Sequence, residues 1–227
     1  MPAPADSLPD PIHPNVVWRF IRVTLRNVFA FWMKYRARGF ERLPEGGALF
    51  LINHQSFLDP LLVGLPLRRP VSYLARDSLF PVPFIGWVLR NTYVMPIRRD
   101  AVSTESIREA TRRLEHGFYV GIFPEGTRTR DGRLGPLKPG FVALLRRCRV
   151  PLVPIGISGA IDVLPRGAWF LRPRRVHVVF GEPVPWDVWQ PLTARGREEE
   201  LLEFARSGIQ KCLDEAEEWR RRTASGA

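Results

Sequence analysis

Short apolar runs alternate with segments of helical periodicity through most of this chain. The runs have the length of buried strands and occupy residues 49–52, 71–75, 93–97, 120–123, 152–157 and 176–180. Helical apolar spacing is clearest at residues 103–115 and 140–147. Strands that alternate with helices are typical of α/β proteins, and 227 residues of 45% hydrophobic composition suffice for one substantial core. The sequence therefore predicts a single α/β domain.

The first polar motif follows the run at residues 49–52, where His54 stands five residues before Asp59. Helical spacing at residues 57–65 predicts a helix with Ser56 as its N-cap and Asp59 at its third position. At such a turn the Asp59 carboxylate can accept a hydrogen bond from one ring nitrogen of His54, which leaves the other nitrogen to take a proton. The simpler alternative is that His54 is only a polar turn residue and that Asp59 is only an acid at the start of a helix, where the helix dipole favours it. A metal site is not indicated, because no second histidine or cysteine follows at ligand spacing.

A second polar motif, Phe-Pro-Glu-Gly-Thr-Arg at residues 123–128, follows another apolar run. Its glycine lets the backbone approach a ligand closely. Arg128, Arg130 and Lys138 supply donors for a phosphate, which arginine can hold with two parallel hydrogen bonds. The alternative is a surface turn with solvated arginines, because Asp-Gly at residues 131–132 is a turn signal.

Four blocks of the sequence occur in the order and at the intervals of a known family. They are the His-x4-Asp element at residues 54–59, residues 92–99, residues 123–128, and Val-Pro-Ile-Gly-Ile at residues 153–157. Together they resemble the blocks of the glycerolipid acyltransferases typified by bacterial 1-acyl-glycerol-3-phosphate acyltransferase. The second block departs from the family pattern because its expected glycine is missing, and Arg99 best matches its arginine. That block is associated with the acceptor phosphate, so the departure concerns the headgroup more than the chemistry.

The resemblance covers about residues 36–185 and implies an α/β fold with a mixed central sheet flanked by helices, preceded by an N-terminal amphipathic helix. It implies that His54, held by Asp59, removes the proton from a lysolipid hydroxyl. That hydroxyl then attacks the acyl thioester directly, without a covalent acyl-enzyme. The backbone N–H groups after His54, and Gly156, are candidate donors to the oxyanion. We expect neither a metal ion nor a cofactor.

The resemblance also implies a set of residues that bind the acceptor. Arg99, Arg128 and Lys138 would hold its phosphate, and Glu125 would orient Arg128 or a glycerol hydroxyl. The predicted substrate-binding residues are Arg99, Glu125, Gly126, Thr127, Arg128 and Lys138. The leading acceptor is lysophosphatidate, which would become phosphatidate in phospholipid synthesis. Glycerol 3-phosphate, another lysophospholipid and a lyso-aminolipid are alternative acceptors, and the co-substrate is acyl-CoA or acyl-carrier protein.

Two other classes of function stay open at the level of the sequence. A hydrolase would use Ser56 as a nucleophile beside His54, but the chain has no Gly-x-Ser-x-Gly elbow. A non-catalytic protein that binds anionic lipid could keep the fold without the reaction. The presence of His54, Asp59, Glu125 and Arg128 together favours the enzyme.

The segment at residues 15–34 has the apolar length of a membrane span but contains Arg19, Arg22 and Arg26. Each arginine costs about 2.5 to 3.5 kcal/mol near a bilayer centre, so a spanning helix is disfavoured. Helical spacing places the three arginines in one stripe between apolar surfaces, which is typical of a helix lying in the membrane interface. The alternative is an ordinary amphipathic helix packed on the domain.

These patterns predict the organisation of the whole chain. Residues 1–15 form a disordered lead-in, residues 16–38 the N-terminal membrane-interface helix, and residues 39–222 the acyltransferase domain. Within the domain, residues 195–222 read as one amphipathic helix that packs against the remainder.

The charge balance favours an anionic partner, since the formal net charge is +11 and the pI is near 10.8. We expect this partner to be an anionic membrane surface, to which each basic residue adds about 1 kcal/mol of attraction. Nucleic acid is not expected, because no helix-turn-helix, RNA-recognition or zinc pattern occurs. Two unpaired cysteines suit a reducing compartment, and the first residues lack the features of a secretory signal. The predicted location is the cytoplasmic face of the cell membrane, as a peripheral or monotopic protein.

Overall fold

A computed structural model describes residues 8–97, 104–165, 167–168 and 170–225. The strands are β1 (Arg36–Arg38), β2 (Ala48–Ile52), β3 (Val71–Arg76), β4 (Met95–Ile97), β5 (Tyr119–Ile122), β6 (Leu152–Ser158) and β7 (His177–Phe180). The α-helices are α1 (Val16–Trp32), α2 (Asp59–Gly64), α3 (Pro83–Asn91), α4 (Thr104–Glu115), α5 (Val142–Leu145), α6 (Ala160–Val163), α7 (Trp186–Trp189) and α8 (Glu198–Ala224). Each apolar run of the sequence contains a strand, which confirms the predicted alternation.

The strands form one seven-stranded sheet in the order β1-β7-β6-β2-β5-β3-β4. The strands from β6 to β4 are parallel, whereas β7 runs antiparallel to β6 and β1 runs parallel to β7. This arrangement confirms the expected α/β fold with a mixed central sheet. Because β2 and β5 are parallel neighbours in the centre, the loops that follow them emerge at the same edge of the sheet.

Helices cover both faces of the sheet, so the central strands are apolar on both sides. In β2, Phe50 and Ile52 face α1, α2 and α6, whereas Leu49 and Leu51 face α4, α5 and α8. The result is a continuous apolar run instead of an alternating one, as expected for a buried parallel strand. The core therefore lies in two layers, one on each face of the sheet.

Helix α1 is shorter than the predicted helix at residues 16–38. It ends at Trp32, and Lys34 has a positive φ of 44°, which turns the chain out of the helix. Residues 36–38 then form β1, whose partner is β7 at the sheet edge. The long helix was therefore a wrong prediction at its C-terminal end. The basic sequence of β1 has no strand-like periodicity, and its pairing with β7 is what places it.

The lead-in also differs from the expectation of disorder where the structure describes it. Pro11 is buried, and the Asp10 carboxylate accepts the backbone N–H of Ile12 at 2.6 Å. The Asn15 side chain then accepts the Trp18 N–H at 2.7 Å and caps α1. Residues 8–15 therefore form an ordered segment that leads into α1. The remaining lead-in, residues 1–7, lies outside the described residues.

The inward and outward faces of α1 are both apolar. Trp18 and Phe29 are buried, whereas Phe20 and Phe31 are exposed. The inward face packs on the domain, as the alternative of an ordinary amphipathic helix predicts. The outward face is also apolar, and no described residue covers it. Among the described residues, no helix combines the length and the apolar composition needed to cross a bilayer.

The C-terminal helix α8 packs across β6 and β7, which confirms the predicted amphipathic tail. Its approach to β6 requires glycine at position 156. A Cβ on Gly156 would lie 2.2 Å from the backbone of Cys212 and Leu213, closer than real Cβ atoms come to any neighbour. The glycine in the Val-Pro-Ile-Gly-Ile block therefore serves close packing of helix on sheet.

Candidate functional site

The two polar motifs lie side by side at the carboxyl ends of β2 and β5. Residues 53–59 follow β2, and residues 123–130 follow β5. A backbone hydrogen bond joins them, since the Thr129 N–H donates to the His54 carbonyl at 2.8 Å. The His54 ring also stacks on Phe123 with its centroid 4.1 Å away. The sheet therefore assembles one site from segments that are far apart in the sequence.

His54 and Asp59 form the predicted hydrogen bond, with His54 Nδ1 and Asp59 Oδ2 2.8 Å apart. The same oxygen accepts the backbone N–H groups of Gln55 at 2.6 Å and Ser56 at 2.8 Å. The spacing of five residues works because α2 begins only at Asp59, so the intervening chain is a turn. The predicted Ser56 N-cap is wrong, since Leu58 is the capping residue and Asp59 is the first helical position.

Asp59 is fully buried, and this decides its electrostatics. Burial raises the pKa of the carboxyl, while the hydrogen bonds from His54, Ser56 and Gln55 act in the opposite direction. The second oxygen, Oδ1, is buried and has no hydrogen-bond partner among the described residues. All three donors therefore converge on one oxygen, and that oxygen fixes the orientation of the His54 ring.

Glu125 connects the two motifs through the backbone. Its Oε1 accepts the His54 N–H at 2.7 Å, and its Oε2 accepts the Gly135 N–H at 2.9 Å. The side chain is buried, and burial raises its pKa against the effect of these two donors. Glu125 therefore braces the backbone of the site with both oxygens. The predicted role in orienting Arg128 or a glycerol hydroxyl stays a prediction.

The same contacts bear on the expected oxyanion donors. The N–H of His54 donates to Glu125, and the N–H groups of Gln55 and Ser56 donate to Asp59. These amides at the start of the turn are therefore engaged by carboxylates. Donation to an oxyanion would compete with these bonds, which the buried carboxylates need. The role of this backbone and of Gly156 as oxyanion donors stays a prediction.

Two predicted phosphate-binding side chains lie beside the glycine turn. The Arg128 guanidinium carbon is 3.5 Å from the centroid of the Phe57 ring, a cation–π geometry. Lys138 lies against Gly126, where an added Cβ would be 3.2 Å from the Lys138 Nζ. Gly126 itself has a φ of 64°, which favours glycine. Arg128 thus lies against Phe57 and Lys138 against the glycine turn.

The other predicted substrate-binding residues are placed as follows. Thr127 is exposed at the tip of the loop, next to Gly126 and Arg128. Arg130 is also exposed. Arg99 lies outside the described residues, because the structure describes nothing from residue 98 to residue 103.

Ser56 is fully buried, which counts against a nucleophilic role. Its hydroxyl donates to the Leu164 carbonyl at 3.2 Å, and its backbone N–H is held by Asp59. An acyl donor would have to displace this packing to reach the hydroxyl. The hydrolase alternative therefore has no support in the geometry.

Two polar residues that the sequence did not single out also support the site. The Asn53 side chain exchanges hydrogen bonds with the backbone of Ile157 at 2.7 Å and 3.0 Å, so it ties the end of β2 to β6. The Tyr73 ring stacks behind Phe123, with centroids 6.0 Å apart. Burial raises the pKa of the Tyr73 hydroxyl, and the charge of Asp59 adds to the shift. Only the position of Asn53 directly after an apolar run was a usable signal.

The chain is similar to known acyltransferases in sequence and in structure. The sequence profile of the acyltransferase family matches residues 34–158. A 1-acyl-sn-glycerol-3-phosphate acyltransferase of Bacillus subtilis is 30% identical over 146 residues, which cover 63% of this chain and 70% of that protein. The crystal structure of the 1-acyl-sn-glycerophosphate (LPA) acyltransferase PlsC from Thermotoga maritima superimposes with a TM-score of 0.72 and 25% identity, over 88% of this chain and 79% of the other.

A longer relative is the chloroplastic 1-acyl-sn-glycerol-3-phosphate acyltransferase BAT2 of Brassica napus. It is 31% identical over 163 residues, which cover 70% of this chain but 47% of that protein. The chain thus spans about half the length of several curated relatives that it matches. The α/β fold with a His-x4-Asp site at the carboxyl ends of its strands defines a class of acyl-transferring proteins. This chain belongs to the acyltransferase family, in its 1-acyl-sn-glycerol-3-phosphate acyltransferase (PlsC) type.

Proposed function

We propose that this chain transfers a fatty acyl group from a thioester donor to the hydroxyl of lysophosphatidate, giving phosphatidate for phospholipid synthesis. The observation that carries the proposal is the 2.8 Å bond between His54 Nδ1 and Asp59 Oδ2, formed beside the positive charges of Arg128 and Lys138. The names of the relatives support lysophosphatidate as the acceptor.

His54 acts as the general base in this reaction. Because Nδ1 is bonded to Asp59, Nε2 on the opposite side of the ring takes the proton of the acceptor hydroxyl. The hydroxyl oxygen attacks the thioester carbonyl carbon, a C–O bond forms and the C–S bond breaks. His54 then returns its proton to the departing thiolate. The buried Asp59 carboxylate stabilises the imidazolium during the transfer.

The acceptor phosphate binds at the loop after β5. Arg128 and Lys138 supply donors there, and Arg99 is assigned to the same task by its place in the sequence block. Glycine at position 126 adopts the positive φ of the turn and leaves room for the Lys138 side chain to lie against it. Holding both substrates in this way supplies several kcal/mol of the reduction in the barrier.

The protein works at the cytoplasmic face of the cell membrane, where its acceptor resides. The outward face of α1 supports this location. Apolar side chains are exposed there, and the helix contains arginines but no acidic residue. An amphipathic helix of this kind lies in the interface with its apolar surface among the acyl chains.

The test is release of free thiol by the purified, detergent-stabilised protein. Acyl-CoA and acyl-carrier protein are each combined with lysophosphatidate, glycerol 3-phosphate, another lysophospholipid and a lyso-aminolipid. We expect release that depends on lysophosphatidate and is lost in His54→Ala. The matched control is His116→Ala, which removes an exposed histidine outside the site and should keep wild-type turnover.

Four outcomes would contradict the proposal. If the protein prefers another acceptor, the assignment of lysophosphatidate is wrong. If His54→Ala retains more than about a tenth of wild-type turnover, His54 is not the general base. An acyl adduct on Ser56, detected by mass spectrometry after brief exposure to the donor, would restore the hydrolase. Absence of release with every pair, by a folded protein that binds vesicles, would favour the non-catalytic lipid-binding protein.

A further inference from the structure

A second uncovered apolar surface lies on α3 and the turn before it. The sequence has no charged residue between Asp77 and Arg90. Phe84 is 75% exposed and Trp87 is 46% exposed, which is unusual for aromatic side chains in a soluble domain. The exposed large apolar residues of this segment are Leu79, Val82, Phe84, Ile85 and Trp87.

The segment is held in this exposed arrangement by specific contacts. Gly86 packs so tightly against the turn that an added Cβ would lie 1.9 Å from the Phe80 carbonyl oxygen. The Arg90 guanidinium donates to the same carbonyl at 3.1 Å. The Phe84 and Trp87 rings stack with centroids 6.5 Å apart. The aromatic side chains therefore project from a braced helix and turn.

Helix α3 lies next to the start of α1. The Asn15 side chain donates to the Asn91 carbonyl at 3.0 Å, so the N-terminus of α1 meets the C-terminus of α3. Both helices also line a cavity of about 250 Å³, to which α1 contributes Trp18 and α3 contributes Val88. Phe57, whose ring lies under the Arg128 guanidinium, lines the same cavity. The two helices and the candidate site are thus neighbours.

The charged residues of α1, the helix beside this surface, are all positive. Helix α1 contains Arg19, Arg22 and Arg26 and no acidic residue. The Arg22 guanidinium lies near Arg26, Arg19 and Arg68, and burial together with these like charges lowers its pKa. Such a cluster is complementary to a surface of negative charge. Aromatic side chains flanked by arginines are typical of segments that lie at a membrane interface.

We propose that α3 and its preceding turn insert into an anionic bilayer beside α1, so that the two helices form one membrane-docking face. The inference rests on the proposed membrane association of α1, but it does not require acyl transfer. Phe84 and Trp87 enter the boundary between headgroups and acyl chains, while the arginines contact lipid phosphates. A lysolipid in that bilayer then lies next to the cavity that Phe57 shares with the candidate site.

The test uses a fluorescent NBD label attached to single introduced cysteines of the full chain. The positions are Phe84→Cys on α3, Phe20→Cys on α1 at 70% exposure, and the matched control Val188→Cys on α7 at 57% exposure. The native Cys148 and Cys212 are buried, and burial raises the pKa of each thiol to about 12, so their background labelling is low. Vesicles contain phosphatidylglycerol and phosphatidylcholine, or phosphatidylcholine alone.

We expect anionic vesicles to raise NBD fluorescence and shift it to the blue at Phe84→Cys and Phe20→Cys, with no change at Val188→Cys. A response at Phe20→Cys without one at Phe84→Cys would overturn the role of α3 and leave α1 as the membrane helix. Unchanged NBD fluorescence at both positions would overturn membrane docking by either helix. A response at the control would show non-specific adsorption and would equally overturn the inference.

Serine variants give a second measurement without a label. The double variant Phe84→Ser, Trp87→Ser should lower co-sedimentation with anionic vesicles by about tenfold or more. The reason is that two aromatic side chains are no longer transferred from water into the bilayer. Val188→Ser should bind as the wild type does. Thiol release with a short-chain, water-soluble lysophosphatidate should persist in the double variant, which separates failure of docking from failure of the proposed reaction. Unchanged sedimentation of the double variant would refute the docking face.

Discussion

Replacement of Asp59 by asparagine isolates the charge of the proposed catalytic pair from its geometry. Only one carboxylate oxygen of Asp59 accepts the three hydrogen bonds from His54, Gln55 and Ser56. The amide oxygen of asparagine can take that position, and its NH2 group then occupies the place of the unpartnered Oδ1. The His54 ring therefore keeps its orientation, and the variant loses chiefly the negative charge.

The magnitude follows from the distance between the charges. At 2.8 Å, an imidazolium and a carboxylate attract by roughly 6 kcal/mol at an effective dielectric constant of about 20. Since about 1.4 kcal/mol corresponds to a factor of ten in rate, the limit is a loss of roughly ten-thousandfold. The amide dipole retains part of the attraction, so we expect kcat of Asp59→Asn to fall by about a thousandfold.

The assay is thiol release at saturating lysophosphatidate, with Asp187→Asn as the control at an exposed acid on α7. Acceptor KM should change little, because Asp59 does not contact the phosphate-binding side chains in this proposal. A kcat within tenfold of the wild type would refute the electrostatic role of Asp59. A rise in KM with unchanged kcat would mean that the residue serves binding instead.

The same variant should alter the pH dependence of stability. Burial raises the folded-state pKa of Asp59 above its ordinary value of 3.8. The folded protein thus holds this proton more tightly than the unfolded chain, so the carboxyl favours folding at low pH. That contribution is lost as pH rises through the raised pKa. Urea unfolding at a series of pH values above 3.8 should show Asp59→Asn gaining stability relative to the wild type as the pH rises, and a falling difference would contradict this.

Three further substitutions test the packing and the binding loop. Glu125→Gln should lower the free energy of unfolding in urea by about 1 to 3 kcal/mol, because both oxygens of Glu125 accept N–H groups and an amide can satisfy only one of them. Gly156→Ala should cost about 3 kcal/mol or more, whereas Gly64→Ala, with open space around its Cβ, should cost less than about 0.5 kcal/mol; equal effects would contradict the close approach of α8. Arg128→Ala should raise acceptor KM about tenfold or more, while Arg130→Ala, at an exposed position, should not, and the reverse order would reassign the phosphate contact.

Elements with a strong local pattern could be predicted from the sequence. The apolar runs that became β2, β5 and β6 are recognisable because a strand buried on both faces needs apolar residues at every position. Helix α8 is recognisable because its apolar residues recur at helical spacing. The His-x4-Asp spacing likewise predicts the pair at His54 and Asp59. In these segments, a short window of sequence contains the physical cause of the structure.

Other features depend on partners far along the chain. The strand β1 has a basic three-residue sequence and exists because β7 offers a free edge. Glu125 looks in the sequence like a substrate-binding acid, yet its contacts are backbone N–H groups, one of them 71 residues away at His54. Helix α3 is largely apolar in sequence, and only its position at the surface shows Phe84 and Trp87 to be exposed.

The sequence alone thus determined the strands β2 to β7, the amphipathic helix α8, the pairing of His54 with Asp59 and the family of this protein. Periodicity and motif spacing act over a few residues, so the chain carries that information locally. The tertiary structure decided where α1 ends, which amides the two buried carboxylates hold, and which apolar faces stay uncovered. Those outcomes depend on burial and pairing between distant segments, and a buried carboxylate must find its donors wherever the fold places them.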